Sequence, residues 1–110
     1  MNNFLPETAV PHPNAYTVDV TPELAQSWLD ANQPYHTVSE YRVQKLVAQM
    51  QAGQWRLDCN GIAFAKSGTL LDGFHRLLAV VRSGKTVPMI VVIDEPIENR
   101  DVIDNRHLNK

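Results

Sequence analysis

The chain has 110 residues, of which 44% are hydrophobic and 20% are charged, and its formal net charge is −2 at pH 7. This length and composition are typical of one globular domain. That charge provides no overall basic field for tight, sequence-independent DNA binding, and the one cysteine, Cys59, rules out an intramolecular disulfide or a CxxC metal knuckle. With no N-terminal secretion signal and no membrane-spanning apolar run, we expect a soluble, cytoplasmic protein without membrane partners.

The N-terminal third contains an arm, a strand and a helix. Residues 1–15 hold three prolines without periodicity and predict an extended arm, and the alternating Tyr16–Val20 predicts a strand. Thr21 is a good N-cap for a helix running to about Ala31, because proline follows it and Glu23 then meets the positive end of the helix dipole.

The middle and C-terminal parts alternate helices and strands. A capping box, Thr37-x-x-Glu40, predicts a helix that ends near Gly53. A hairpin is predicted over Gly61–Leu71, then a helix over Phe74–Ser83 and an apolar strand over Val87–Ile93, covered on both faces. Residues 94–110 are acidic and predict one more short helix.

These elements predict a compact α+β (α/β) domain, a small mixed sheet flanked by helices. We place the domain at residues 16–104, after the arm of residues 1–15 and before a tail of residues 105–110. No histidine lies at metal-ligand spacing, so no protein-held metal site is predicted.

The corner Asp72-Gly73-Phe74-His75-Arg76 is the candidate site. A strand entering a helix through glycine directs the first helical N–H groups, with the positive end of the dipole, at an approaching anion. His75 and Arg76 lie off the apolar stripe, at a helix start that repels cations by about 0.3–1 kcal/mol each. That stripe is Phe74, Leu77, Leu78 and Val81.

A bound anion would offset the repulsion between this helix start and the two basic side chains. Arg76 can bind a phosphate through two parallel N–H bonds, and His75 can donate an N–H or move a proton. Asp72 can cap the helix, orient His75 or help to hold Mg²⁺. The structural alternative is that Asp72 caps the helix, Gly73 makes the turn and both basic side chains are solvated.

The segments "LLDGFHRLLAVVRSG" and "VPMIVV" resemble the core of the ParB/sulfiredoxin-like superfamily. The likeness is closest to small ParB-like proteins, many from phages and mobile elements, that carry an Asp-Gly-Gln-His-Arg box. The upstream order "VTPELAQSWL" and "SEYRVQKLVAQMQAGQW" agrees, so the resemblance covers about Tyr16 to Asp104.

The resemblance implies that Gly73, His75 and Arg76, with Asp72 and Phe74, bind the phosphates of ATP, ADP or CTP. NTP hydrolysis or phosphoryl transfer with Mg²⁺ would use His75 and Arg76. A kinase-type relative also needs a carboxylate base; Glu23 and Glu40 are the candidates, although each is also explained as a helix-start residue.

This chain departs from the family at two points. Sulfiredoxin has its catalytic cysteine where this chain has Phe74, so sulfinic-acid reduction is not expected. Phe74 also replaces the glutamine of the phage-type box. This change either removes a substrate contact or lets the ring anchor the helix in the core. ParB itself adds a helix-turn-helix and a dimerisation region after this module. A chain of 110 residues has no room for either, so a partition clamp is not expected.

Two other function classes stay open. One is a non-catalytic regulator or inhibitor that binds a host protein. The other is a ParB-like nuclease or DNA-associated accessory, with Arg42 and Lys45 facing nucleic acid or merely solvent. The tail, with Asp104 or Arg106, either closes over the site or frays.

Overall fold

The computed structural model describes residues 5–6, 10–12, 15–32, 37–57 and 61–95. Within these ranges strands and helices alternate along the chain as in an α+β domain. The elements are β1 (Val10–His12), β2 (Ala15–Val20), α1 (Pro22–Asp30), α2 (Glu40–Gln51), β3 (Ile62–Ala65), β4 (Leu70–Asp72), α3 (Phe74–Ser83) and β5 (Val87–Glu95).

The strands form one mixed sheet in the order β1-β2-β5-β3-β4. β5 lies in the middle, antiparallel to β2 and parallel to β3, while β3 and β4 form an antiparallel hairpin. The short strand β1 pairs with β2 and falls within the arm, where the sequence analysis did not place a strand.

The predicted cap of α1 is confirmed. Thr21 has extended backbone, and its hydroxyl accepts a hydrogen bond from the Leu24 N–H at 3.0 Å. Pro22 occupies the first helical position, where a missing N–H costs no helical bond. The sequence at this helix start therefore fixes where α1 begins.

The predicted capping box of α2 is wrong. The N-cap is Ser39, whose hydroxyl accepts from the Arg42 N–H, and the helix begins at Glu40 instead of having Glu40 at its third position. Ser39 is held by a contact outside the helix, described below, so tertiary structure selected it over Thr37. The predicted end is correct, since Gly53 follows the helix at φ +70°.

The hairpin and α3 agree with the sequence. Gly68 makes the hairpin turn at φ +92°, and α3 covers the predicted residues, with Gly84 after it at φ +69°. β5 runs two residues beyond the predicted strand.

β5 is not equally covered on its two faces. Val87, Met89 and Val91 are buried, whereas Pro88 and Ile90 are only half-buried. Pro88 lies opposite Asp19 of β2, and its carbonyl accepts the Trp55 Nε1–H at 2.9 Å.

The helices pack together on one face of the sheet. One buried cluster joins residues of α1, α2 and α3 to Val18, Phe64 and Met89 of the sheet. A smaller cluster, Ala63, Ala65 and Leu71, occupies the other face. Neighbouring strand residues belong to different clusters, as the strand period of two requires.

The buried face of α3 differs in part from the predicted stripe. Phe74 and Leu77 are buried as expected, but Leu78 and Val81 are half-buried and Val80 is completely buried. The face is wider because α3 contacts both α1 and α2, and its buried residues also join the cluster that includes the sheet. The third helix therefore buries a wider surface than one stripe.

The predicted tail helix, Asp104, Arg106 and Cys59 lie outside the described residues. In the described part of the chain, no helix has the length and apolarity to cross a membrane.

Candidate functional site

The corner is built on two glycines that stand side by side. Gly73, the N-cap of α3, has φ +104°, a conformation that residues with a Cβ rarely adopt. It is buried, and a Cβ built on it would overlap the Ile62 side chain and come 3.1 Å from the Gly61 carbonyl oxygen. A Cβ on Gly61 would itself overlap the Ile90 carbonyl. Both positions therefore require glycine.

Arg76 is held by Gly61, the first of these two glycines. Its guanidinium donates to the Gly61 carbonyl at 3.0 Å, in a half-buried position. This bond orients the guanidinium at the corner. The structural alternative of a freely solvated arginine is wrong, because the backbone before β3 fixes this side chain.

His75 is held by the start of α2. Its Nε2 accepts a hydrogen bond from the Ser39 N–H at 3.0 Å. A nitrogen that accepts carries no proton, so in this arrangement the imidazole is neutral and only Nδ1 can offer an N–H. The predicted pair of cations is reduced to one cation, Arg76, beside a neutral histidine.

Phe74 anchors the corner in the core. It is 7% exposed, and its ring meets the His75 ring edge-to-face, with centroids 5.1 Å apart. Of the two roles left open for this residue, the structure supports the anchor.

Asp72 ends β4 and is half-buried, paired in register with Ala63. The N-cap of α3 is Gly73, with no side-chain cap. The expectation that Asp72 is the helix cap is therefore wrong, since glycine occupies that position.

The two candidate bases take no part in these contacts, although Glu40 directly follows Ser39 in the chain. Glu23 is exposed in the first turn of α1, and within the described residues no hydrogen bond or ion pair joins it to His75 or Arg76. Glu40 binds Arg82 through both carboxylate oxygens, at 2.6 and 3.3 Å. The Arg82 hydrogen bond and charge lower the pKa of Glu40, against a smaller opposing effect of desolvation.

The positive N-terminal ends of two helices, α2 and α3, lie at the corner. α3 begins at Gly73, and the Ser39 N–H that binds His75 belongs to the N-cap of α2. Each helix start carries roughly half a unit of positive charge. Together with Arg76 they make this region favourable for an anion.

Sequence reasoning missed Gly61 and Ser39. Gly61 opens the apolar run "GIAFA", which is the one signal that a strand begins there, and nothing in it indicates a contact with Arg76. The other candidates behave as packing or surface residues: Trp28 is buried, Trp55 packs against the core, and Arg42 and Lys45 are exposed. Arg42 and Lys45 thus lie on a solvent-facing side of α2.

Comparison with known proteins gives no relative. No family model, curated protein or solved structure matches the chain.

Proposed function

We propose that this chain is a ParB/sulfiredoxin-like domain and that it binds a nucleotide, or another phosphate-bearing ligand, at the Asp72–Arg76 corner. The observation that carries the proposal is the placement of Arg76: its guanidinium donates to the Gly61 carbonyl, at a helix start where both Gly61 and Gly73 must be glycine. A sequence selected only for stability would favour Asp or Glu in this first turn.

The ligand class follows from the geometry of the donors. A phosphate matches the forked N–H groups of arginine, and it gains from the positive ends of α2 and α3. The space that a Cβ of Gly73 would take is filled by Ile62 and the Gly61 carbonyl, so a phosphate would be bound by Arg76 at the positive end of α3. His75 has a positioning role here, because its Nε2 holds α2 in place beside the corner.

Hydrolysis or phosphoryl transfer is the catalytic form of the proposal. Arg76 would neutralise charge on the transferring phosphoryl group. Mg²⁺ commonly uses one or two carboxylates plus substrate phosphates, and Asp72 is the corner residue of that type. Within the described residues no three His, Cys, Asp or Glu side chains gather as a metal site, so phosphate oxygens would have to complete the set.

Binding is tested first with the nucleotides themselves. We expect ATP, ADP, CTP or GTP with Mg²⁺ to raise the melting temperature, with the affinity measured by calorimetry. Arg76→Ala should weaken binding by about tenfold to a hundredfold, which is the value of one or two charge-assisted hydrogen bonds.

The matched control is Arg82→Ala, in the last turn of the same helix. It removes a cation and an ion pair but leaves the corner intact, so affinity should stay at the parental value. A parent protein that ignores every nucleotide, or equal losses in the two variants, would contradict the proposal.

The protein-binding alternative finds less support. Among the described residues the exposed large hydrophobic side chains are Tyr41 and Leu57, which do not form an extensive apolar patch. The proposal of a phosphate site therefore stands first.

A further inference from the structure

The face of the sheet opposite the helices is open to solvent on one side and covered on the other. In β2, Asp19 lies between two residues of the helix-side cluster, so it points to the opposite face, where it is exposed. On β3 and β4 the same face carries Ala63, Ala65 and Leu71, hereafter the covered patch, which are only 8%, 6% and 5% exposed. One face of the sheet therefore has two different surroundings.

No described helix covers this patch. The buried hydrophobic residues of α1, α2 and α3 belong to the cluster on the opposite face, and the patch is joined by the half-buried Val92 of β5. Leu71 lies on β4, the last strand in the order of the described sheet, so neighbouring strands shield it from one side only. Its burial arises within a single chain, which calls for cover from another segment of that chain.

Most segments outside the described residues lead to other places. Leu5 of the arm packs against the helix-side cluster, and the arm continues through β1 into β2, which β5 separates from β3 and β4. Residues 33–36 join α1 to α2, which both lie on the helix side. Residues 58–60 are a short link to Gly61, at the opposite end of β3 from Ala65. These segments are poorly placed to cover the patch.

Residues 96–110 begin beside the patch. Glu95, the last residue of β5, pairs in register with Ala65. Pro96 follows, and because proline has no N–H to donate to a ladder, the chain is expected to leave the strand here. Among its charged residues this segment has four aliphatic ones, Ile97, Val102, Ile103 and Leu108.

We infer that residues 96–110 form a strap that packs aliphatic side chains over the covered patch and leaves its charged side chains in water. Two of the three patch residues are alanines, whose small side chains leave room for larger aliphatic groups above them. Leu71 directly precedes Asp72, so the strap stabilises β4, the strand that leads into the corner, from the face opposite the helices.

A nitroxide label on the full chain locates the strap. In a Cys59→Ser background, Asn105→Cys carries the label in the strap, and Gln49→Cys carries it on the exposed side of α2. We expect the Asn105 label to broaden the amide NMR signal of Leu71 more strongly than those of α2. The Gln49 label should give the reverse order.

A pair of double variants tests the apolar contact. Val102→Glu/Ile103→Glu removes two aliphatic side chains from the strap, and Asn105→Glu/Asn109→Glu adds the same charge at two polar positions. Both leave the sequence of the described residues unchanged. The first should accelerate hydrogen exchange of the β3 and β4 amides at least about tenfold and lower the melting temperature, because it uncovers apolar surface. The second should leave both quantities near the parental values.

Three results would overturn the inference. The first is an Asn105 label that broadens α2 signals as strongly as that of Leu71. The second is broadening of Leu71 in an isotope-labelled chain mixed with a separate nitroxide-labelled chain, which would mean that a second copy provides the cover. The third is equal hydrogen exchange in the two double variants. None of these measurements involves a nucleotide, so the strap and the proposed function can fail separately.

Discussion

Gly61 shows how one residue can position another. Its carbonyl orients Arg76, and its missing Cβ lets the backbone lie against the Ile90 carbonyl and beside Gly73. A larger residue would push the start of β3 away from β5 and move the acceptor of Arg76. The position of the guanidinium thus depends on a residue with no side chain.

Gly61→Ala is therefore expected to destabilise the fold by several kcal/mol, as for other overpacked sites where backbone must move. Gly68→Ala is the comparison, since its Cβ would meet nothing within 4 Å and only the positive φ opposes it. That strain costs about 1–2 kcal/mol. Urea unfolding of both variants measures the difference, and a smaller loss for Gly61→Ala would show that the close approach to Ile90 is incorrect.

His75 is expected to stabilise the start of α2. Without an acceptor, the Ser39 N–H at the start of α2 loses its bond, so His75→Ala should cost about 0.5–1.5 kcal/mol. Hydrogen exchange at the Ser39 amide should accelerate. His75→Gln should restore part of the protection, because its amide oxygen can accept in place of Nε2; equal exchange in all three proteins would argue against the bond.

For the corner, the sequence predicted which side chains meet and missed the groups to which they bind. Asp72 to Arg76 are adjacent in the chain, so a strand-to-helix turn brings them together. Their partners lie 15 and 36 positions away, at Gly61 and Ser39. Neither composition nor periodicity specifies a tertiary hydrogen bond of that separation.

Among the elements, α2 and α3 are joined at two points. The start of α2 binds His75 near one end of α3, and Glu40 binds Arg82 near the other. Glu40, predicted as a helix-start carboxylate or a catalytic base, is an exposed ion-pair partner between helices. An exposed pair of this kind contributes little at high salt.

The pair makes a small contribution to pH-dependent stability. Because Arg82 lowers the pKa of Glu40 in the folded state, the contribution is present above the ordinary glutamate pKa and lost as the pH falls through the folded value. Glu40→Gln should therefore lower the melting temperature at pH 7, with the gap closing from about pH 5 to about pH 3. Glu23→Gln, another first-turn substitution with no ion-pair partner among the described residues, should show a smaller gap.

The elements themselves were largely predictable because their ends carry local signals. Thr21 and the glycines after α2 and α3 act through their own backbone and nearest neighbours. The wrong prediction for the start of α2 has a non-local cause. Thr37 and Ser39 are both good caps, and the contact with His75 favours Ser39. A local pattern cannot distinguish two caps that differ in a distant partner.

For the molecule as a whole, α3 connects the helical layer and the candidate site. It contacts both α1 and α2, and its first residue follows β4, the last strand in the order of the described sheet. The sequence predicted a mixed α+β sheet with flanking helices, and the α+β class is confirmed. It did not predict that the helices share one face, because strand order and crossover side depend on contacts between distant segments.

Leu77 is the residue on which this arrangement makes its strongest prediction. It is completely buried in the middle of α3, whereas the adjacent Leu78 is only half-buried. Leu77→Ala removes the same atoms as Leu78→Ala from the same helix, so helix propensity cancels in the comparison. The first change should cost about 2–5 kcal/mol through the cavity it leaves, and the second clearly less.

Urea unfolding followed by circular dichroism measures the free energy of unfolding of both variants. An unchanged m-value would show that the substitutions change stability and not the surface exposed on unfolding. Domains of this kind have about 5–15 kcal/mol of stability, so Leu77→Ala should remain folded in the absence of denaturant but unfold much earlier. Equal costs for the two leucines would mean that α3 does not pack between α1, α2 and the sheet as described. In that case the orientation of the helix start, and with it the position of Arg76, would also be incorrect.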